Sequence, residues 1–237
     1  MVTLIHTTDL HNRLNGRAAQ RLRDVVDAYP GAVLLDSGDA VRAGNAFFHP
    51  LGEPVLERMT QLGYAAMALG NREFHVFPSW MRRKLQQAGF PIIASNVEPK
   101  SGTRTPFVRS LTVDASGVRV GILAVVTPMV REGTLMDRIC GFRFLDPVGC
   151  VRDVAGELRQ GTDLVVALTH CSHEVSAQVA SLPEVDVTLA GHSHDTEADT
   201  TPSAVIVHSG SHARAASVVT WDRPTLTWDV RSRPLTP

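Results

Sequence analysis

Residues 2–11 read VTLIHTTDLH: a strand-like run, Val2–His6, that breaks into Asp9-Leu10-His11. The same arrangement recurs along the chain. Ala32–Asp36 is followed by Gly38-Asp39, Tyr64–Leu69 by Gly70-Asn71, Leu164–Leu168 by His170, and Val185–Ala190 by Gly191-His192-Ser193-His194. Each puts an apolar run of buried-strand length directly before side chains of the kind that bind metal. Pro91–Ala94 is a further strand-like run. Between the runs, three sets of residues recur at helical spacing: Ala18, Leu22, Val25, Val26 and Tyr29; Met81, Leu85 and Ala88; Val148, Val151, Ala155 and Leu158. Asp146 can cap the last helix, and Pro147 suits its first turn. Strands alternating with helices predict an α/β fold with a largely parallel core sheet.

Two regions depart from that alternation. Thr105–Val113 and Val118–Val126 flank Asp114–Gly117, which reads as a hairpin turn. Near the end of the chain, Ala204–His208, Ala215–Trp221 and Thr225–Arg231 follow one another with no helical pattern between. A mixed sheet, or two sheets sandwiched together, fits these better than a purely doubly wound fold. No repeat and no Pro-, Gly- or Ser-rich linker divides residues 1–237, so a single domain is expected.

The composition is that of an ordinary globular protein: 43% hydrophobic, 20% charged, with 23 basic and 24 acidic residues giving a net charge of −1. That balance argues against nucleic-acid and membrane-surface partners, which select a basic excess. Cys140, Cys150 and Cys171 are odd in number and form no C-x-x-C pair, so neither a disulfide framework nor a cysteine zinc knuckle is expected. No signal-like or membrane-spanning run is present, and a cytoplasmic location is expected. Ten histidines beside two tyrosines are the compositional feature that points to chemistry.

In an open α/β sheet, ligands gather beyond the carboxyl ends of the strands. Five strand ends would bring seven side chains to one place: Asp9, His11, Asp39, Asn71, His170, His192 and His194. Imidazole, carboxylate and amide donors suit divalent Mn, Zn, Fe, Co or Ni, with Mn the first expectation. Seven ligands exceed what one ion takes. With Asp39 bridging, Asp9, His11 and His194 would hold one ion, and Asn71, His170 and His192 the other. Two such ions clamp an in-line phosphoryl displacement and provide hydroxide as the nucleophile near neutral pH.

These five blocks, in this order, resemble the calcineurin-like metallophosphoesterase superfamily, and "LIHTTDLHNRL", "GNREF" and "PIIASNV" are closest to its 5′-nucleotidase branch. The resemblance implies a four-layer α-β-β-α sandwich with two mixed sheets, a dinuclear metal centre, and hydrolysis of a small phosphoester, with the ligand roles falling on the same seven positions. Two departures follow from it. The family's usual histidine after the block asparagine, which contacts the scissile phosphate and protonates the leaving group, is Arg72 here. Arginine cannot act as a general acid, but it can hold phosphate oxygens. His75 is then the candidate proton donor, with a structural histidine packed behind the loop as the alternative. Asn71 and Arg72 are the expected substrate contacts. The second departure is length: the nucleoside-binding domain of full-size 5′-nucleotidases is not expected within 237 residues, so nucleotide specificity does not carry over.

Other polar residues read as structural or peripheral. His173 and His212 could reach the site from loops, Arg42 could meet an anionic substrate, and His208 could bond a ligand or close its strand. The expected function is a metal-dependent phosphomonoesterase. A phosphodiesterase on the same site, or a metal-binding homologue without catalysis, are the alternatives.

Overall fold

The structure is a computed structural model describing residues 1–237 except 45, 46, 48, 50, 51, 101–103, 202, 203, 223 and 237. In chain order the elements are β1 (Val2–Thr7), α1 (Gly16–Asp27), β2 (Val33–Asp36), α2 (Pro54–Leu62), β3 (Ala66–Ala68), α3 (Pro78–Leu85), β4 (Ile92–Ile93), β5 (Val97–Pro99), β6 (Ser110–Ala115), β7 (Val118–Val126), α4 (Leu135–Ile139), β8 (Phe142–Phe144), α5 (Pro147–Arg159), β9 (Leu164–His170), α6 (His173–Ala180), β10 (Val187–Ala190), β11 (Ala198–Thr201), β12 (Ala204–His208), β13 (Ala215–Asp222) and β14 (Thr227–Pro234).

They assemble into two six-stranded sheets, ordered β14-β13-β1-β2-β3-β4 and β11-β12-β10-β9-β7-β6, with β5 and β8 forming a small ribbon. In the first sheet β1 to β4 run parallel, and β13 and β14 close one edge antiparallel. In the second, β7, β9, β10 and β12 run parallel between antiparallel edges β6 and β11. The expected mixed sheets are therefore both present.

Strand periodicity explains the layering. In β9 the side chains of Leu164, Val166 and Leu168 enter the layer between the sheets, against Leu4, Leu35, Val187, Leu189 and Val219. The alternate residues, Val165 and Ala167, face outward and meet Val151, Val154 and Val179 of α5 and α6. Both faces are buried, so the strand reads as an unbroken apolar run instead of an alternating one. On the far side, the outer face of the first sheet packs on α1, α2 and α3 through Leu22, Leu56, Met59 and Met81. The result is the four-layer α-β-β-α sandwich that the resemblance implied.

Local signals set the ends of several elements. Asn15 caps α1 by accepting from the Ala18 amide at 3.1 Å, and Asp146 caps α5 by accepting from the Gly149 amide at 2.7 Å. The β6–β7 turn consists of Ser116 and Gly117, both with positive φ (56° and 79°), the two-residue turn that fits the twist of a hairpin. The expected strand from Thr105 begins only at Ser110; ahead of it, Val108 makes a single bridge to Ile93.

Candidate metal centre

The five blocks lie where the alternation placed them, at the carboxyl ends of parallel strands. Asp9 and His11 follow β1, Asp39 follows β2, and Asn71 follows β3. His170 is the last residue of β9, and His192 and His194 follow β10. The first two loops are bonded to one another: the amides of Asp9, His11 and Asn12 donate to the carbonyls of Gly38, Asp39 and Ala40 at 2.9, 3.0 and 2.7 Å. These bonds tie the two loops together beyond the last ladder pair, Thr7 and Asp36.

The backbone of these loops is unusual. Asp9, His11, Asp39, His192 and His194 all have φ between 44° and 76°. Left-handed backbone is rare for residues with a side chain and costs on the order of 1 kcal/mol or more at each. Five such residues in one cluster mark a place where the fold imposes a conformation that the residues do not prefer. Gly38 has φ of 95°, as its turn requires. Gly70 is needed for space instead: a Cβ there would lie 2.3 Å from the Asp39 amide nitrogen and 2.5 Å from a Glu73 carboxylate oxygen.

All seven side chains converge, in two groups. Around Asp9 Oδ1 stand His194 Nε2 at 3.2 Å and His11 Nε2 at 3.7 Å, and the two imidazole nitrogens are 3.2 Å apart. Asp9 Oδ2 is fully engaged, accepting from the Thr8 hydroxyl and the His192 amide. Oδ1 is buried with no hydrogen-bond partner, as is His11 Nδ1. Around His170 Nε2 stand Asn71 Oδ1 at 3.0 Å, His192 Nδ1 at 3.3 Å and Asp39 Oδ1 at 3.4 Å. One ring nitrogen cannot hydrogen-bond three neighbours. Donors arranged tetrahedrally about an ion at 2.0–2.2 Å stand roughly 3.3 Å from each other, which is the spacing of both groups. Asp39 also comes within reach of Asp9 and His11 and so faces both groups. The donor set and the orphaned Asp9 oxygen fit divalent ions.

His170 is oriented from behind. Its Nδ1 lies 2.8 Å from the Ser37 carbonyl, which can only accept, so Nδ1 carries a proton and Nε2 faces the site. Burial, then the nearby Arg72, lowers His11 to about 4; burial, then His170, lowers His192. Both rings are therefore neutral near pH 7 and have a lone pair to offer. Burial would lower His170 too, but its hydrogen bond to Asp39 and that carboxylate's charge outweigh it and raise the group to about 9.

Glu73 was not singled out from the sequence. Fully buried, it accepts from the Gly70 and Asp39 amides through Oε2 and from Val41 through Oε1, at 2.8–3.0 Å. It fastens the β2 and β3 loops together. Burial, followed by the charge of Asp39, raises it to about 7. Its position three residues after Gly70 was the available signal, but a glutamate inside a turn usually reads as solvated.

Beside the cluster lies a cavity of about 450 Å³ lined by His11, Asn12, Arg13, Arg42, Arg72 and His212. The Arg72 amide donates to Asp39 Oδ1 at 2.7 Å, and its side chain donates to the Arg42 carbonyl at 3.2 Å. The buried Lys84 donates to the Arg72 carbonyl and, at 2.9 Å, to that of Gly44. His212 joins His11 and His194 as a third imidazole within ligand reach, and its amide donates to the Asp9 carbonyl. His75 is not brought to this cavity. Its Nδ1 accepts from the Phe77 amide at 3.0 Å, and its ring stacks on Trp80 at 5.3 Å.

Comparison with known proteins agrees with this architecture. No protein-family profile matches the chain. A curated 5′-nucleotidase of Vibrio cholerae is 29% identical over 204 residues, which are 80% of this chain and 37% of that protein. The chain thus spans under two-fifths of the length of that relative. Among solved structures, a 5′-nucleotidase precursor from Thermus thermophilus superposes with a TM-score of 0.81 at 24% identity, covering 98% of this chain and 54% of that one. A calcineurin-like phosphoesterase, YfkN, from Bacillus subtilis gives 0.75 at 18%, covering 99% and 90%. Among the described residues no helix is long and apolar enough to cross a membrane. The chain is a relative of the 5′-nucleotidases and carries the calcineurin-like phosphoesterase fold.

Proposed function

We propose that residues 1–237 act as a single catalytic domain that hydrolyses small phosphomonoesters at a dinuclear centre. The observation that carries this reading is the pair of donor groups sharing Asp39, set beside a cavity lined by Arg13, Arg42 and Arg72. Asp9, His11 and His194 would hold one ion and Asn71, His170 and His192 the other, with Asp39 between them. Manganese is the ion proposed first, on the mixture of imidazole and oxygen donors. When bound, two such ions would supply Lewis acidity toward the phosphoryl group and lower the pKa of water, so that hydroxide would be available as the nucleophile.

The chain's own side chains do the rest. Arg72 and Arg42 present guanidinium groups to phosphate oxygens, with Arg13 at the same cavity, and offset charge that develops during transfer. Glu73 and the Ser37 carbonyl keep Asp39 and His170 in place. Arg72 holds its proton at any ordinary pH. His75 is occupied within its own segment, which favours a packing role for it over proton donation. Arg72 thus supplies binding without acid catalysis, and substrates with good leaving groups should be preferred.

Cellular location is part of the proposal as well. Cys140, Cys150 and Cys171 are buried free thiols, and burial raises each of them; such unpaired thiols suit the reducing cytoplasm.

The test is a pair of assays, on a chromogenic aryl phosphate and its bis-aryl diester, with Mn²⁺, Zn²⁺, Co²⁺ and Ni²⁺ in turn. Monoester hydrolysis that is lost on chelation and restored by metal supports the reading. Faster diester hydrolysis would transfer the site to phosphodiesters, and no turnover with two ions bound would leave a metal-binding homologue. Across a series of aryl leaving groups, log rate against leaving-group pKa should be steep and Arg72→His should flatten it. A flat line in the unmodified protein would remove Arg72 as the cause.

A further inference from the structure

A second set of metal-type donors lies outside the central cluster. One ring nitrogen each of His173 and His208, and one oxygen of Asp195, stand within 4.8 Å of one another. His173 opens α6, His208 ends β12, and Asp195 follows directly on the loop that carries His192 and His194. Glu197 is close by, its Oε1 3.8 Å from His173 Nδ1, the same distance as Asp195 Oδ2. The group is held together from the backbone. The His208 amide donates to the Glu197 carbonyl at 2.8 Å and the Gly210 amide to the Asp195 carbonyl at 2.7 Å. The imidazoles of His173 and His208 lie face to face, 5.2 Å apart and 13° from parallel.

His208 supplies the independent sign of a missing ligand. Its Nδ1 faces Ser193 Oγ at 3.2 Å, whereas Nε2 is fully buried with no hydrogen-bond partner. The residue is only 3% exposed. A buried ring nitrogen left unpaired is costly, and a bound cation would give it a partner. The His173 and Asp195 side chains are largely exposed and already 3.8 Å apart, Nδ1 to Oδ2, close to the roughly 3.3 Å that donors keep around one ion.

We propose that His173, His208 and Asp195, with Glu197 beside them, form a separate site for one divalent transition-metal ion, zinc foremost, that ties the 191–197 loop to the start of α6 and the end of β12. Two imidazoles and a carboxylate are a zinc-type donor set. The site shares no side chain with the central cluster and does not depend on the phosphoesterase reading. Its occupancy would restrain the loop carrying His192 and His194 and, through α6, the strand end carrying His170.

The experiment is zinc stoichiometry after equilibrium dialysis at matched free zinc, comparing the unmodified chain with His173→Ala and Asp195→Asn. Both positions are exposed, so these changes leave folding intact. Each variant is expected to hold one ion fewer per chain, and zinc should slow amide exchange over 191–197 in the parent but not in the variants. Equal stoichiometry and equal exchange in all three proteins would overturn the proposal. Placing His173→Ala in an Asp39→Asn background separates the two readings. The His173-dependent ion should persist when the central centre is impaired. If Asp39→Asn abolishes it, the site has no independent existence.

Discussion

The two sheets bring unlike donor types to the proposed centre. The first sheet, through the loops after β1, β2 and β3, supplies every oxygen donor (Asp9, Asp39 and Asn71) and a single imidazole, His11. The second, through the ends of β9 and β10, supplies imidazoles only. The manner of support differs too. First-sheet donors sit in loops bonded to each other and to Glu73, whereas His170 stands inside a regular strand and needs one carbonyl behind it. In the proposed centre the carboxylates thus come from one half of the sandwich and only imidazoles from the other, and neither half holds a complete set.

Asp39→Asn should give the largest effect if that division is right. It replaces the carboxylate that faces both groups, so activity in the aryl phosphate assay should fall by at least about a hundredfold. A near-normal rate would mean that the two groups work independently. Leu168→Ala probes the seam instead of the donors. Leu168 is buried between the sheets, and its truncation should cost about 2–5 kcal/mol in denaturant unfolding, with metal binding weakening in parallel. Unfolding in two separated steps would show that the halves are not coupled.

A smaller loss is expected from Glu73→Gln, which keeps the shape but turns one of two accepting oxygens into a donor facing amides. Metal affinity should drop roughly 10–100-fold by titration, and the metal-free protein should also lose about 1–3 kcal/mol, because a buried amide NH2 would face backbone donors. Lost stability with unchanged metal affinity would make Glu73 a packing residue. Smallest is Asn15→Ala, which removes the α1 cap far from the donors. Stability should fall by about 1 kcal/mol with metal binding unchanged, and any change in metal affinity would show that α1 steers the β1 loop.

Most of the architecture was legible because it rests on burial. β9 and β10 are apolar on both faces and read as strands without ambiguity. β11 was not read from the sequence: its residues Ala198–Thr201 are all exposed, and it exists through pairing with β12. Helix α2 did carry signals, with Pro54 at its first turn, apolar residues at Val55, Leu56, Met59 and Leu62, and Gly63 at φ 83° as its stop. The residues proposed as donors were legible as a group because each lies at a strand end or in the loop just after it. Glu73 and Lys84 were not, because their roles come from what the fold packs around them, whereas His212 was already read as able to reach the site and stands beside His11 and His194. His75 illustrates the converse, since nearness in sequence to Arg72 did not bring it to the cavity.

The bonding between the loops after β1 and β2 has a consequence for insertions. Because the amides of residues 9, 11 and 12 are matched one by one to the carbonyls of residues 38, 39 and 40, these loops have a fixed length as well as a fixed shape. One residue added between Thr8 and Asn12 would shift each amide to the wrong carbonyl and turn His11 away from Asp9. This short stretch works as a gauge that admits a single spacing.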